Sequence, residues 1–155
     1  VGPRWGELAD LMAPHALARV HVFDDVHLAM AFAAAGRGFA LKQLLRSLEE
    51  QAEGEGPQAR MTRLVGLPAA RAMAAFAHGA HAAAVDQLVS LRPHARLMTG
   101  SHAQRDVLEL TLVEAAVRDG QLGLARGLLE ARLRRKPASP QILRGLARCG
   151  RRLAS

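Results

Sequence analysis

Tyrosine is absent from this 155-residue chain, tryptophan occurs once and phenylalanine four times. Half the residues are nevertheless apolar, so alanine and leucine must fill the interior. That suits close helix packing and suits a β-sandwich poorly. Cys149 is the only cysteine, which excludes an internal disulfide and points to a reducing compartment, with a cytoplasmic location as the expectation. The longest apolar run, Leu28–Ala35, falls far short of the roughly 20 residues that span a bilayer. No secretory signal is visible. The chain opens at Val1 without a methionine, so it is expected to be a piece of a larger protein, with further repeats before it. Its length fits one domain, 1–155, large enough to bury a core.

Lysine is nearly missing as well. Lys42 and Lys136 stand against 19 arginines within a net charge of +7. The positive charge is gathered at one end, where residues 126–155 hold nine basic side chains and one acid, Glu130. Arg134, Arg135, Arg144, Arg148 and Arg151 form an electrostatic footprint that would suit a polyanion. No aromatic is interleaved with them to stack on bases, so nucleic acid is not expected. A solvated end-cap is the preferred reading.

What is present is a recurring bend. Gly36, Gly79 and Gly120 lie 43 and 41 residues apart, each between two apolar-periodic segments. Ala31, Ala74 and Ala115 stand five residues before the glycines, Leu41, Ala84 and Ala125 five after, and Leu45, Leu88 and Leu129 nine after. A period near 40 built from helix–turn–helix units is the signature of a stack of helical hairpins. Glycine suits the bend because it takes a left-handed conformation without steric cost. Small residues before it let paired helices approach closely.

The helices follow from local signals. Asp24 or Asp25 is expected to cap a helix ending near Ala35, and Phe39–Ala52 forms its partner. After a loop at Gly54, Gly56 and Pro57, a short helical stretch covers 58–65. Pro68 then opens a separate helix running to about His78, with His81–Leu91 as partner. Arg92–Gly100 reads as a long connector. Ser101 and Gln104 form a capping box for a helix reaching about Arg118, paired with Leu122–Leu133. A last helix after Ser139 carries Ile142, Leu143, Leu146 and Leu153 on one side and Arg144, Arg148, Arg151 and Arg152 on the other, as a terminal cap requires. Residues 1–22 provide one or two more helices.

With the bends located, the chain resembles the tetratricopeptide repeat family, whose pattern places glycine at the bend, alanine five residues on and proline seventeen on. Gly120, Ala125 and Pro137 match all three positions. The second unit matches with Gly79 and Ala84 but has Arg96 in place of the proline. The first has Leu41 and Glu53 instead of alanine and proline, and Phe32 is the surviving aromatic. The period exceeds the usual 34 of the family. Longer stretches, DDVHLAMAFAAAGR at 24–37, VGLPAARAMAAFAHG at 65–79, LRPHARLMTGSHAQRDVLELTL at 91–112 and ARLRRKPASP at 131–140, are similar to the C-terminal half of proteins like tetratricopeptide repeat protein 38. The resemblance implies an all-α, tetratricopeptide-like solenoid of antiparallel hairpins, with units at about 24–53, 66–92 and 101–137 and a capping helix at 139–154. It implies no reaction.

Seven histidines invite a metal or acid–base reading. His15, His21 and His27 are spaced by six and share no helical face, and neither His-x-x-x-His nor Cys-x-x-Cys occurs, so no metal site is expected. Gly-x-Ser-x-Gly and phosphate-binding glycine loops are also missing, and no cofactor is expected. The better candidates recur at the starts of first helices: Asp25 and His27 in one unit, and His102, Arg105, Asp106 and Glu109 along one face in another. They read either as a polar patch that receives a peptide or small ligand, or as local capping with an Arg105–Glu109 pair. The leading expectation is a non-catalytic scaffold binding a protein or peptide through its concave face. The alternatives are a small-ligand or enzymatic module using the His/Arg/Asp patch, and polyanion binding by the arginine-rich end.

Overall fold

The computed structural model describes residues 4–15, 22–98 and 102–153, with the side chains of His15, residues 102–104 and Leu153 left aside. Within them the protein is all-helical. The elements are α1 (Arg4–Met12), α2 (Val22–Ala34), α3 (Gly38–Glu53), α4 (Gly56–Met61), α5 (Leu67–Ala77), α6 (His81–Leu91), α7 (His102–Arg118), α8 (Leu122–Arg135) and α9 (Pro140–Leu153). No described helix is long and apolar enough to cross a membrane.

Three antiparallel pairs, α2 with α3, α5 with α6 and α7 with α8, pack one upon the next. Contacts between α2 and α5 and between α6 and α7 join the pairs, α1 packs on α2, and α9 packs on α8. Alanines make this closeness possible. Ala31, Ala70, Ala84, Ala115 and Ala125 are fully buried between helices, and Leu44, Leu88, Leu112 and Phe32 fill the spaces among them. Each such leucine or phenylalanine contributes roughly 1.5–3 kcal/mol on burial.

The three bends are the same structure bond for bond. Gly36, Gly79 and Gly120 have φ of 69°, 79° and 83°. The amide after each glycine donates to a carbonyl five residues back: Arg37 to Phe32 at 2.8 Å, Ala80 to Ala75 at 2.9 Å and Gln121 to Ala116 at 2.9 Å. The glycine amides reach three residues back, to Ala33, Phe76 and Val117. This paired closure satisfies carbonyls that the helix end would leave open. The residues opening the next helix, Arg37, Ala80 and Gln121, share φ near −78° and ψ near 60°.

Four local expectations change. Helix α2 starts at Val22, so Asp24 and Asp25 lie in its first turn instead of capping it. Val22 is fully buried, and a Cβ at Gly66 would stand 3.1 Å from its methyl groups. This close contact places Val22 in the helix, upstream of the aspartates, where the dipole still favours their charge. Pro68 does not open a separate helix. The chain stays right-handed helical from α4 through a π-helical turn, Thr62–Gly66, into α5. The wider turn relieves the clash between a proline ring and the preceding carbonyl. The connector after α6 is itself wound into a 3-10 helix, Arg92–Leu97. Finally, Leu143 in α9 is half exposed, and fully buried Cys149 joins Ile142 on the apolar side. The Ser101–Gln104 capping box lies outside the described residues.

Candidate functional site

Helix α7 carries Asp106, Glu109 and Glu114, at intervals that keep them on sides facing α8 and α9. Opposite them stand the arginines of the basic end. Arg132 projects from the apolar face of α8, in register with Ala125, Leu128 and Leu129, and is buried. It grips Asp106 with both terminal nitrogens, Nη2 donating to Oδ2 at 2.7 Å and Nη1 to Oδ1, while Nη1 also donates to Glu109 Oε2 at 2.8 Å. Arg135, one turn on, donates to both oxygens of Glu109 at 3.0 and 3.1 Å. Glu109 is thus held across the helix interface and not by Arg105, which donates to the Met98 carbonyl at 3.3 Å.

A second junction ties α9 to α7. Arg148 donates to the two oxygens of Glu114 at 2.8 and 3.0 Å, and Arg118 donates to the same carboxylate at 2.7 Å. Arg152 adds a bond from Nη1 to the Val117 carbonyl at 2.5 Å. The Arg118 guanidinium also lies 4.9 Å from the centre of the Phe76 ring, within cation–π range.

These pairs set the protonation of the carboxylates. Hydrogen bonding from Arg132 holds Asp106 below the usual carboxylate range despite its partial burial, with Lys136 and Arg135 adding to the effect. For Glu114, burial alone would raise the pKa. The hydrogen bonds from Arg148 and Arg118 outweigh it, and the group sits below its ordinary value. Asp106 in turn raises Arg132 further above the ordinary guanidinium value, against the opposing effect of burial.

The Arg132 network forms one wall of a cavity of about 840 Å³ where the end of α6, the 3-10 turn, α7, the end of α8 and the start of α9 meet. Its apolar lining comes from the nearly buried Leu88, Leu91, Leu108, Leu112 and Ile142. Six cationic side chains surround it, Arg92, Arg96, Arg105, Arg132, Arg135 and Lys136, against two carboxylates, Asp106 and Glu109.

Of the residues singled out in the sequence, Arg105, Asp106 and Glu109 therefore share this cavity. The side chain of His102, at the start of α7, lies outside the described residues. Asp25 and His27 are not part of the lining. Asp25 is 3% exposed within the α2 packing, so it does not present itself to a partner. His27 donates from Nδ1 to the Phe23 carbonyl at 2.8 Å, with its ring 4.1 Å from that of Phe23. Among the arginines of the basic end, Arg135 and Arg148 make ion pairs while their side chains stay 63% and 43% exposed. Arg134, Arg144 and Arg151 remain exposed.

Arg132 was missed in the sequence. Its signal was position: an arginine in register with Ala125, Leu128 and Leu129 must be buried, and a buried guanidinium requires acidic partners. Among the described residues, no group of three or more histidine, cysteine, aspartate or glutamate side chains is placed to hold a metal ion. No protein-family model and no solved structure matches the chain.

Proposed function

We propose that this protein is a tetratricopeptide-like helical-repeat scaffold that holds a protein or peptide partner on the face formed by its first helices, α2, α5 and α7. One observation supports this most: three hairpins at a period near 40 turn through the same bend, bond for bond, at Gly36, Gly79 and Gly120. Stacked hairpins of this kind build an extended surface that a compact bundle lacks. Helix α9 closes the far end, with Ile142 and Cys149 inward and Arg144 and Arg151 toward solvent.

The test is affinity capture with the full chain, identification of what is retained, and titration of that purified protein by calorimetry. A saturable complex is the expected result. Failure to retain any protein, or a retained protein that shows no saturable binding, overturns the reading.

Small-ligand binding is favoured by a separate observation, the half-open cationic cavity. Of the histidines weighed for an enzymatic module, His27 is not among the lining residues, and the side chain of His102 lies outside the described residues.

A further inference from the structure

We infer that the cavity between α6, α7, α8 and α9 binds an organic anion, an apolar body carrying a phosphate or carboxylate group. The inference stands apart from the scaffold reading and does not depend on it.

Size is the first consideration. A volume of about 840 Å³ lies in the range of small-molecule sites. The lining comes from four helices and a 3-10 turn, so the space is a notch at one junction and not a groove running along the stack.

Charge is the second. Six cations against two carboxylates leave the lining at about +4. The carboxylates are already bound: Asp106 and Glu109 receive Arg132 and Arg135 at hydrogen-bond distance. The side chains of Arg92 and Arg96, four residues apart on the 3-10 segment, make no hydrogen bond or ion pair among the described residues, nor does that of Lys136 at the end of α8, which acts on Asp106 through its charge alone. Three cations without a hydrogen-bonded partner in one lining constitute an anion subsite. Guanidinium forks match the oxygens of phosphate and carboxylate in pairs. Lys136 adds a point charge suited to either group.

The apolar lining is the third. Leu88, Leu91, Leu108, Leu112 and Ile142 line the notch beside the cations, nearly buried and exposing only their edges to it. An inorganic anion alone would leave this surface uncovered, and a neutral apolar molecule would leave the cations unpaired. The ligand that satisfies both carries its oxyanion toward Arg92, Arg96 and Lys136 and its apolar part toward Leu112 and Ile142. Asp106, Arg132 and Glu109 are tied to one another without any ligand, Arg132 being only 8% exposed and held by two carboxylates.

The experiment titrates the full chain by calorimetry with four probes: 1-naphthyl phosphate, 2-naphthoate, 2-naphthol and inorganic phosphate. Saturable binding of either naphthyl anion is expected, with 2-naphthol and inorganic phosphate each bound about tenfold or more weakly. The ratio of phosphate to carboxylate tells which oxyanion the site prefers. Raising the salt concentration is expected to weaken binding. The double variant Arg92→Glu, Arg96→Glu changes exposed, unpaired side chains and is expected to keep its circular dichroism spectrum while losing affinity about tenfold or more. Ala95→Phe, which fills the notch from the 3-10 segment, is expected to abolish binding with charge unchanged. The inference is overturned if neither naphthyl anion binds, if 2-naphthol binds as tightly as the anions, or if both variants bind as the wild type does.

Discussion

Arg132 of α8 and Asp106 of α7 form a two-pronged ion pair, 26 residues apart in the chain, at the interface of the third hairpin. The arginine is the buried member and the aspartate the more solvated one, with 8% and 29% of their side chains exposed. Breaking this pair should therefore be asymmetric. Removing the acids strands a buried cation, whereas removing Arg132 leaves two partly hydrated carboxylates near Arg135 and Lys136. The double variant Asp106→Asn, Glu109→Gln should lose about 3–5 kcal/mol, while Arg132→Met should lose less than half of that. Urea unfolding measures both, and an equal loss would refute the assignment of Arg132 as the buried partner.

Acid should weaken the fold through the same residues. Asp106 and Glu114 both have pKa values lowered in the folded state. A lowered folded pKa supplies stability in full above the unfolded value, about 4, and loses it as pH falls through the folded value. The melting temperature should be flat from neutrality to about pH 5 and fall below pH 4. Asp106→Asn should start lower and fall less steeply, since that group no longer takes up a proton. A parallel decline in wild type and variant would argue against this linkage.

The bends should distinguish glycine from alanine by backbone angle alone. Gly120 has φ of 83° and open space around a would-be Cβ. Gly120→Ala should therefore cost about 1–2 kcal/mol from the left-handed conformation itself. Gly127, exposed within α8 and equally uncrowded, should gain up to about 1 kcal/mol as alanine. Thermal melts of the two variants should move in opposite directions.

Cys149 can report the docking of α9. The thiol is fully buried, and Gly145, one turn before it, lies so close to α8 that a Cβ would meet Leu129 at 3.0 Å. Labelling of the native protein by a thiol reagent should be slow. Gly145→Leu should force α9 away and speed labelling about tenfold or more, the rate following the open population. Glu114→Gln, which weakens the Arg148 tie, should give a smaller increase. Fast labelling of the wild type would contradict the packing.

The period of the hairpins, the extents of α6, α7 and α9, and the identity of the bend glycines were legible in the sequence. They depend on local rules: apolar periodicity, the freedom of glycine at positive φ and the punctuation of proline. Local rules misjudged the stretch around Pro68. There the contact of Gly66 with Val22 and the π turn keep one rod continuous where proline alone suggests a start. They also assigned Asp25 to a cap, although packing of α2 buries it.

Charge shows the division most clearly. By itself the sequence determined that the last thirty residues are strongly basic and that α7 bears acids at helical spacing. Only the tertiary structure decided that these are partners. Arg132, Arg135 and Arg148 meet Asp106, Glu109 and Glu114 across 23 to 34 residues of chain. The physical reason is range. Helix propensity, capping and bends act within a few residues, whereas an ion pair between helices exists only after packing has brought them within about 3 Å and excluded part of the water. The cavity follows from the same assembly, since its apolar lining and its cations come from elements that no local pattern connects.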